Sequence, residues 1–199
     1  NYQITPQMSM DLTYNTDFAQ VETDEEIVNL TRFNILLPEK REFFLQDAGL
    51  FTFGGASRAI NPLEGIRRRS DVVLFNSRSI GIESGELVPL YGGVKLAGRT
   101  GPYSVGAMNI QSKSTTLRSG IPVPSNNYTA MKVKRDLFEN SNLGLMFLNR
   151  QSDSNTYNRA VGLDGYFVIT PAFTVFGDLA KSFDPEVESE DWAGSSGLA

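Results

Sequence analysis

The chain has 199 residues, of which 40% are hydrophobic and 21% charged, and its formal net charge is −5. It contains no cysteine and no histidine, which excludes disulfides, thiol nucleophiles, imidazole bases and most zinc or haem sites, so we expect no metal and no cofactor. No run reaches the roughly 18 apolar residues of a spanning helix, and the only basic run, at residues 67–69, lacks interleaved aromatics, so we expect neither a helical membrane protein nor a nucleic-acid partner.

The first residues predict a strand hairpin. Residues 2–8 (YQITPQM) resemble residues 167–173 (FVITPAF), and both are interpreted as a strand, a Pro-containing turn and a new strand. The new strand is expected at residues 8–15, so residues 1–15 form the first unit. Because the sequence opens without Met or a signal segment and ends on SSGLA, we interpret it as part of a longer chain that stops within a loop.

Residues 16–90 interrupt this rhythm and predict a folded insertion. The run TDEE at residues 23–26 matches a helix capping box, so a short helix is expected from Asp24. Pro38 suits the first position of a second helical stretch, of one or two turns within residues 39–46. A short strand is expected at residues 72–75.

This insertion is too long and too aromatic for a solvated loop. It spans about 75 residues, well beyond ordinary connections between strands. It also carries six phenylalanines, at positions 18, 33, 43, 44, 51 and 53. If the strands on either side of it belong to a membrane barrel, irregular backbone cannot lie in the lipid, and we expect the insertion to fold as a plug inside the barrel or across its mouth.

Residues 91–199 carry the clearest strand pattern. Six extended segments with alternating polarity are predicted at residues 93–99, 103–111, 128–136, 143–150, 160–169 and 173–181. Short turns at residues 100–102, 137–142 and 170–172 alternate with long polar loops at residues 112–127 and 151–159 and from residue 182 onward. This alternation of loop lengths is typical of an antiparallel up-and-down outer-membrane β-barrel. A soluble antiparallel sheet gives the same alternation of polarity and remains the alternative fold.

The two faces of these strands predict lipid on one side and a lumen on the other. We expect an outward, lipid-facing set of Leu96, Met131, Val133, Leu145, Phe147, Leu163 and Val175. We expect an inward set of lumen charges, comprising Lys95, Arg99, Lys132, Lys134, Asp164 and Asp178. Aromatic residues near strand ends, at Tyr91, Tyr103, Tyr128 and Phe173, suit the two membrane interfaces.

Several blocks of sequence resemble one protein family. These are residues 15–22 (NTDFAQVE), 28–33 (VNLTRF) and 38–45 (PEKREFFL), followed by FNSRSIG at 75–81, GVKLAG at 93–98 and the NRQ and YNR triplets at 149–151 and 157–159. They resemble an uncharacterised family of bacterial outer-membrane proteins, whose members usually join a module like carbohydrate-binding family 9 to a C-terminal barrel. Leu36-Leu37 and Glu42 depart from the pattern. The resemblance implies a barrel in the outer membrane of a Gram-negative bacterium and carries no catalytic residues.

The charged residues of the insertion form a candidate plug motif. Its members are Asp17, Glu22, Glu26, Arg32, Glu39, Lys40 and Arg41. The acidic stretch at residues 17–26 lacks the glycine and glutamate spacing of an EF-hand, so we interpret it as helix capping and charge pairing rather than as a calcium site. Its carboxylates are candidate partners for Lys95, Arg99, Lys132 and Lys134.

We expect a non-enzymatic segment of an outer-membrane β-barrel, with residues 1–15 as a hairpin, 16–90 as a plug-like insertion and 91–199 as a meander. Its expected role is passage or surface capture of a nutrient, with a glycan or another small solute as cargo, and its partners are outer-membrane lipid and proteins of an envelope complex. One alternative is a structural subunit that anchors a partner. Another is a surface glycan hydrolase, which needs two carboxylates facing each other across a cleft.

Overall fold

A computed structural model describes residues 1–15, 39–54, 72–152, 156–185 and 191–198. Within these ranges the protein is built on one large antiparallel sheet of nine strands. The strands are β1 (Tyr2–Thr5), β2 (Met8–Tyr14), β5 (Leu90–Thr100), β6 (Tyr103–Ser112), β9 (Asn126–Leu137), β10 (Ser141–Ser152), β11 (Tyr157–Thr170), β12 (Phe173–Phe183) and β13 (Trp192–Leu198). The prediction of an all-β fold is confirmed.

The strands of the sheet follow one another in chain order, each pairing with its sequence neighbour in the sheet. β1 and β13 lie at the two edges, so the described strands form an open sheet and do not close into a barrel. The six predicted strands of the meander are all present as β5, β6, β9, β10, β11 and β12. Alternating polarity and turns that contain Gly, Pro or Asn are sufficient to place them.

The connections are segregated by length. Tight turns join β1 to β2, β5 to β6, β9 to β10 and β11 to β12, and they define the short-turn end of the sheet. The opposite, long-loop end carries the connections after β6, β10 and β12 and also the insertion between β2 and β5. The three predicted short turns are confirmed, but the long loop predicted at residues 151–159 is wrong, since β10 and β11 are joined by the four residues 153–156.

The described part of the insertion contains little regular structure. It comprises the one-turn helix α1 (Glu42–Leu45), 3₁₀ turns at Ala48–Phe51 and Ser77–Ser79, and a small hairpin of β3 (Ile82–Glu83) and β4 (Glu86–Leu87). A second small hairpin, β7 (Thr115–Thr116) and β8 (Pro122–Val123), lies in the loop after β6. None of the described helices is long and apolar enough to cross a membrane.

Three sequence-based expectations about local structure need comment. Residues 192–198 form strand β13, paired with β12, so the prediction of a loop from residue 182 onward is wrong there. Residues 72–75 have no regular secondary structure, so the predicted strand is also wrong. The helix expected from Asp24 lies outside the described residues.

Candidate functional site

The two faces of the sheet differ in exposure, and one of them exposes a band of large apolar side chains. Met131, Val133, Leu145, Phe147 and Leu163 point away from the insertion and are between 37% and 53% exposed. Leu96 and Val175 lie on the same face and are half-buried. We call this the outer face.

The opposite face is covered by the insertion, and we call it the covered face. Lys95, Lys132, Asp164 and Asp178 lie on it and are at least 93% buried. Strand geometry sends alternate residues to opposite faces, so these four residues share the face that the insertion covers; their predicted position in a barrel lumen stays a prediction. The register places Asp11 of β2 directly opposite Lys95 on this face.

The aromatic residues of the insertion form the centre of the contact with the covered face. Phe44, Phe51 and Phe53 are at least 92% buried. They share one apolar cluster with residues of five sheet strands, namely Leu90, Met108, Ile110, Ala130, Met146 and Ala180. Residues 43–53 therefore pack against the sheet, while the expectation that residues 16–90 form a plug inside or across a barrel stays a prediction. Phe18 and Phe33 lie outside the described residues.

Glycines on the covered face make room for these rings. A Cβ atom on Gly106 would lie 2.9 Å from Cζ of Phe51. A Cβ atom on Gly162 would lie 2.7 Å from Cζ of Phe53 and 2.6 Å from a methyl group of Leu74. Any side chain at either position would therefore displace part of the insertion.

Lys95 joins the sheet to the end of helix α1. Its Nζ donates to the carbonyl oxygens of Phe43 and Gln46, at 2.7 and 2.9 Å, and lies 3.3 Å from the Asp11 carboxylate. The side chain is fully buried and its ammonium lies 5.0 Å from the Phe43 ring centre. A cation near the carbonyl end of a helix is favourable, so Lys95 is the anchor of α1. The expected acidic partners at residues 22–26 lie outside the described residues.

Lys132 and Asp164 form a second buried ion pair across β9, β10 and β11. The pair passes over Gly144, where a Cβ atom would lie 2.8 Å from the Lys132 ammonium and 2.7 Å from the Asp164 carboxylate. The ammonium also lies 5.1 Å from the Phe53 ring centre. Buried charges need such partners because desolvation of an unpaired ion is costly.

The remaining lumen charges have different surroundings. Asp178 accepts a 2.6 Å hydrogen bond from the Ser195 hydroxyl, while its second oxygen is buried without a partner among the described residues. Arg99 is exposed and lies 3.9 Å from Asp136 at the short-turn end. Lys134 is half-buried on the covered face. The six predicted residues thus share a face but do not form one cluster.

Three members of the predicted plug motif lie in the described residues. Glu39 accepts hydrogen bonds from Nε and Nη2 of Arg41, at 2.8 and 2.7 Å, and from the Ser77 hydroxyl. Arg41 is buried, donates to the carbonyl oxygens of Ser77 and Ile80, and stacks on Phe44 at 4.1 Å. Lys40 is exposed. Asp17, Glu22, Glu26 and Arg32 lie outside the described residues.

The Glu39–Arg41 cluster holds the two described parts of the insertion together. Burial of Glu39 favours its neutral form, but the hydrogen bonds from Arg41 and Ser77 outweigh burial and hold the pKa of Glu39 below its usual 4.5. Arg78, also buried, lies 3.8 Å from the same carboxylate. The cluster therefore ties residues 39–41 to residues 77–80.

Two of the cavities lined by described residues flank the insertion, and a third lies beside one of them at the long-loop end. One, of about 310 Å³, lies at the short-turn end between the covered face and residues 49–54. The second, of about 370 Å³, lies towards the long-loop end and is lined by Tyr128, Arg150 and Asn158 together with residues 74–83 of the insertion. The third, of about 420 Å³, shares Arg150 and Asn158 and also contacts Asp184.

The polar groups of the two long-loop cavities are connected. Arg150 donates to the Asn126 side chain at 3.3 Å, lies 3.4 Å from Glu83, and is 5.9 Å from the Tyr128 ring centre. Asn158 donates to Asp184 at 3.0 Å. Tyr128 was predicted at the membrane interface, but its register places it on the covered face instead. An aromatic face beside amides, a carboxylate and a guanidinium is suited to binding a hydroxylated solute.

The described residues of these cavities include no pair of facing carboxylates. Among the described residues each cavity is lined by one carboxylate: Asp164, Glu83 or Asp184. Asp164 and Asp178 are cross-strand neighbours, but Lys132 binds the first. The described residues also hold no group of three or more acidic side chains placed to bind a metal ion.

Sequence reasoning missed several residues of this region. Asp11, Ser104, Ser195 and the glycines at 106, 144 and 162 acquire their roles only through cross-strand register. The signal that could have identified the glycines is their position on the same strand face as the charged residues.

A family model described as a domain of unknown function (DUF5916) matches residues 1–157. No curated protein matches the chain. No solved structure matches it either.

Proposed function

Because the chain belongs to the DUF5916 family, whose description assigns no activity, we propose its role from the structure. The chain is a segment of a β-barrel of the Gram-negative outer membrane, with the insertion as its plug, and it takes part in passage or surface capture of a nutrient. Further strands outside this chain complete the barrel.

The exposed apolar band on the outer face, together with the ions buried on the covered face, carries this proposal. Leu145, on the outer face of β10, is 53% exposed. Lys132, on the covered face of the adjacent strand β9, is 3% exposed. In water, an apolar surface spread over several strands is unfavourable and promotes association. In lipid the same surface is favourable, and the buried ions lie where a barrel has its polar interior.

The outer face also has boundaries that suit a membrane. Towards the long-loop end the apolar side chains give way to a row of Asn109, Thr129, Asn149 and Arg159, linked in part by hydrogen bonds of 2.8 to 2.9 Å. Exposed aromatic residues lie at both ends of the strands, with Tyr91 and Trp192 at one end and Tyr103 and Phe173 at the other. Aromatic side chains with polar neighbours favour the interface between lipid and water.

The long-loop cavities support the capture of a hydroxylated solute such as a glycan. Tyr128 offers an aromatic surface for a sugar ring, while Arg150 and Asn158 supply hydrogen-bond donors. Long loops face the cell exterior in outer-membrane barrels, so these cavities would meet solutes arriving from outside.

Site-directed labelling tests the membrane location, and the natural absence of cysteine leaves no background. Leu145→Cys and Asn149→Cys place thiols four residues apart on the outer face of β10. In outer-membrane preparations we expect Leu145→Cys to react with a lipid-soluble maleimide and resist a charged one. The matched control Asn149→Cys should react readily with the charged reagent. Equal, rapid labelling of both by the charged reagent would contradict the proposal.

An anchoring role is the second candidate, and one observation favours it: the insertion fills the middle of the covered face. Titration with malto- and cello-oligosaccharides separates the two candidates. Capture predicts binding that is weakened at least tenfold by Tyr128→Ala and left unchanged by Tyr103→Ala on the outer face. Anchoring predicts no binding by the unmodified chain, even when the labelling result supports the membrane location.

A further inference from the structure

The cavity at the short-turn end has a different chemistry from the two at the long-loop end. Its volume of about 310 Å³ lies near the lower limit of small-molecule pockets, which range from about 300 to 1,000 Å³. Sheet residues form most of its polar wall, and Gly49, Leu50, Thr52 and Gly54 of the insertion form the opposite wall. We propose that it binds a small oxyanion, a carboxylate or phosphate group carried by a small organic solute.

Ser104 is the first observation that points to a ligand. It lines the cavity, is 2% exposed, and its hydroxyl has no hydrogen-bond partner among the described residues. Leaving a buried polar group unpaired costs about 1 to 3 kcal/mol, so such groups call for an explanation. An oxyanion in the cavity would accept a hydrogen bond from the Ser104 hydroxyl.

The charge of the cavity is the second observation. Lys132 and Asp164 form an ion pair and cancel one another. Lys134 lies beside them, directly opposite Ser104 in the register of β6 and β9, and gives the described lining residues one net positive charge. A bound anion would neutralise this charge in a partly desolvated setting, where the attraction is stronger than in water.

The remaining polar wall is rich in donors. Asn140, Asn142 and Tyr166 present amide and phenol groups, and all three line the cavity with Ser104 and Lys134. The only carboxylate among the described lining residues, Asp164, is already occupied by Lys132. A cation would meet two ammonium groups there, and a neutral sugar would leave the net charge uncompensated. Donors and charge together therefore favour an oxyanion.

Calorimetric titration of the full detergent-solubilised chain at low ionic strength tests this proposal, with inorganic phosphate, acetate and glucose as separate probes. We expect phosphate, acetate or both to bind and glucose to bind at least tenfold more weakly. Phosphate alone would identify the group as a phosphate, and acetate alone as a carboxylate. The proposal would be overturned if neither anion bound, or if glucose bound as tightly as the anions.

Variants identify the groups responsible. Lys134→Met should weaken anion binding at least tenfold, Lys134→Arg should retain most of it, and Ser104→Ala should weaken it about fivefold. Arg135→Met is the matched control, because Arg135 is the next residue on the same strand and points to the outer face beside Tyr103. Anion binding that Lys134→Met leaves unchanged would overturn the proposal. None of these outcomes depends on whether the outer face meets lipid.

Discussion

Glu39 shows how one buried carboxylate can hold two distant parts of a chain together. It gathers donors from Arg41 and from Ser77, which are separated from it by 2 and 38 positions. Hydrogen bonds to a charged group are each worth about 1.5 to 3 kcal/mol, more than neutral ones. The folded state therefore prefers ionised Glu39, which is the physical meaning of its lowered pKa.

The lowered pKa predicts a specific loss of stability in acid. The contribution from Glu39 is complete above its ordinary pKa of 4.5 and is lost as the pH falls through the lower value of the folded state. We expect Glu39→Gln to reduce the free energy of unfolding by about 1.5 to 3 kcal/mol at pH 7. The difference between the two proteins should shrink in thermal unfolding experiments as the pH falls below 4.5.

Glu42→Gln is the matched control for this prediction. Glu42 is exposed in the first turn of α1, only three residues away. It should change stability by less than about 0.5 kcal/mol. A stability difference between Glu39→Gln and the unmodified chain that stays constant from pH 7 to pH 3 would show that the carboxylate is not preferentially ionised in the fold.

At the scale of the elements, the contact between the insertion and the sheet depends on glycines in the sheet as much as on the side chains that fill the space above them. Gly106 and Gly162 leave depressions in the covered face into which Phe51 and Phe53 fit. Burial of a phenylalanine side chain contributes roughly 1.5 to 3 kcal/mol, so these rings outweigh the buried ion pairs, whose desolvation offsets their attraction.

A single methyl group should therefore loosen the insertion. We expect Gly162→Ala to destabilise the chain by about 1 to 3 kcal/mol, because the new Cβ atom would lie 2.6 Å from Leu74 and 2.7 Å from Phe53. Hydrogen exchange should accelerate in residues 42–53. Gly49→Ala is the control, since its Cβ atom would meet nothing within 4 Å. Equal exchange in the two variants would contradict the packing.

The elements that the sequence predicted well are those with strong local signals. Strands β5, β6 and β9–β12 have alternating polarity and are bounded by Gly, Pro or Asn turns. Strand β13 was missed because its sequence, WAGSSGL, is rich in small residues and lacks regular alternation. Its pairing with β12 supplies what its own propensity does not.

The candidate site was predicted less completely for a different reason. Alternation indicated which face Lys95, Lys132, Asp164 and Asp178 occupy, but the partners of these residues depend on register. Asp11 meets Lys95 across 84 positions of sequence, and Gly144 must separate Lys132 from Asp164 for the pair to form. Register joins residues that no local pattern connects.

At the scale of the whole molecule, the nine-stranded ladder continues without a break across the point where the insertion leaves it. β2 and β5 pair over seven residues, and the Asn15 amide donates to the Tyr91 carbonyl at 2.8 Å just beyond that pairing. The strands on either side of the insertion are therefore already paired closely enough for a short turn to connect them.

This adjacency predicts that the sheet survives removal of the insertion in a micelle. We expect a chain in which an Asn-Gly turn replaces residues 16–89 to retain its strand signal in far-ultraviolet circular dichroism. Thiols placed at Met108 or Met146 on the covered face should then react with charged maleimides much faster than in the intact chain. A disordered spectrum in detergent would show that the insertion is required for the ladder itself.

The connectivity of the insertion also determines how it can move. Both ends of the insertion join neighbouring strands, β2 and β5, at the same end of the sheet. The insertion is therefore a loop attached at both ends and not a free terminus. A loop of this kind can move away from the sheet and return along the same path. No chain terminus has to pass through an opening, and no knot forms. Such a movement would break the Lys95 bonds to Phe43 and Gln46 and the contacts of the rings, but no strand pairing of the nine-stranded ladder.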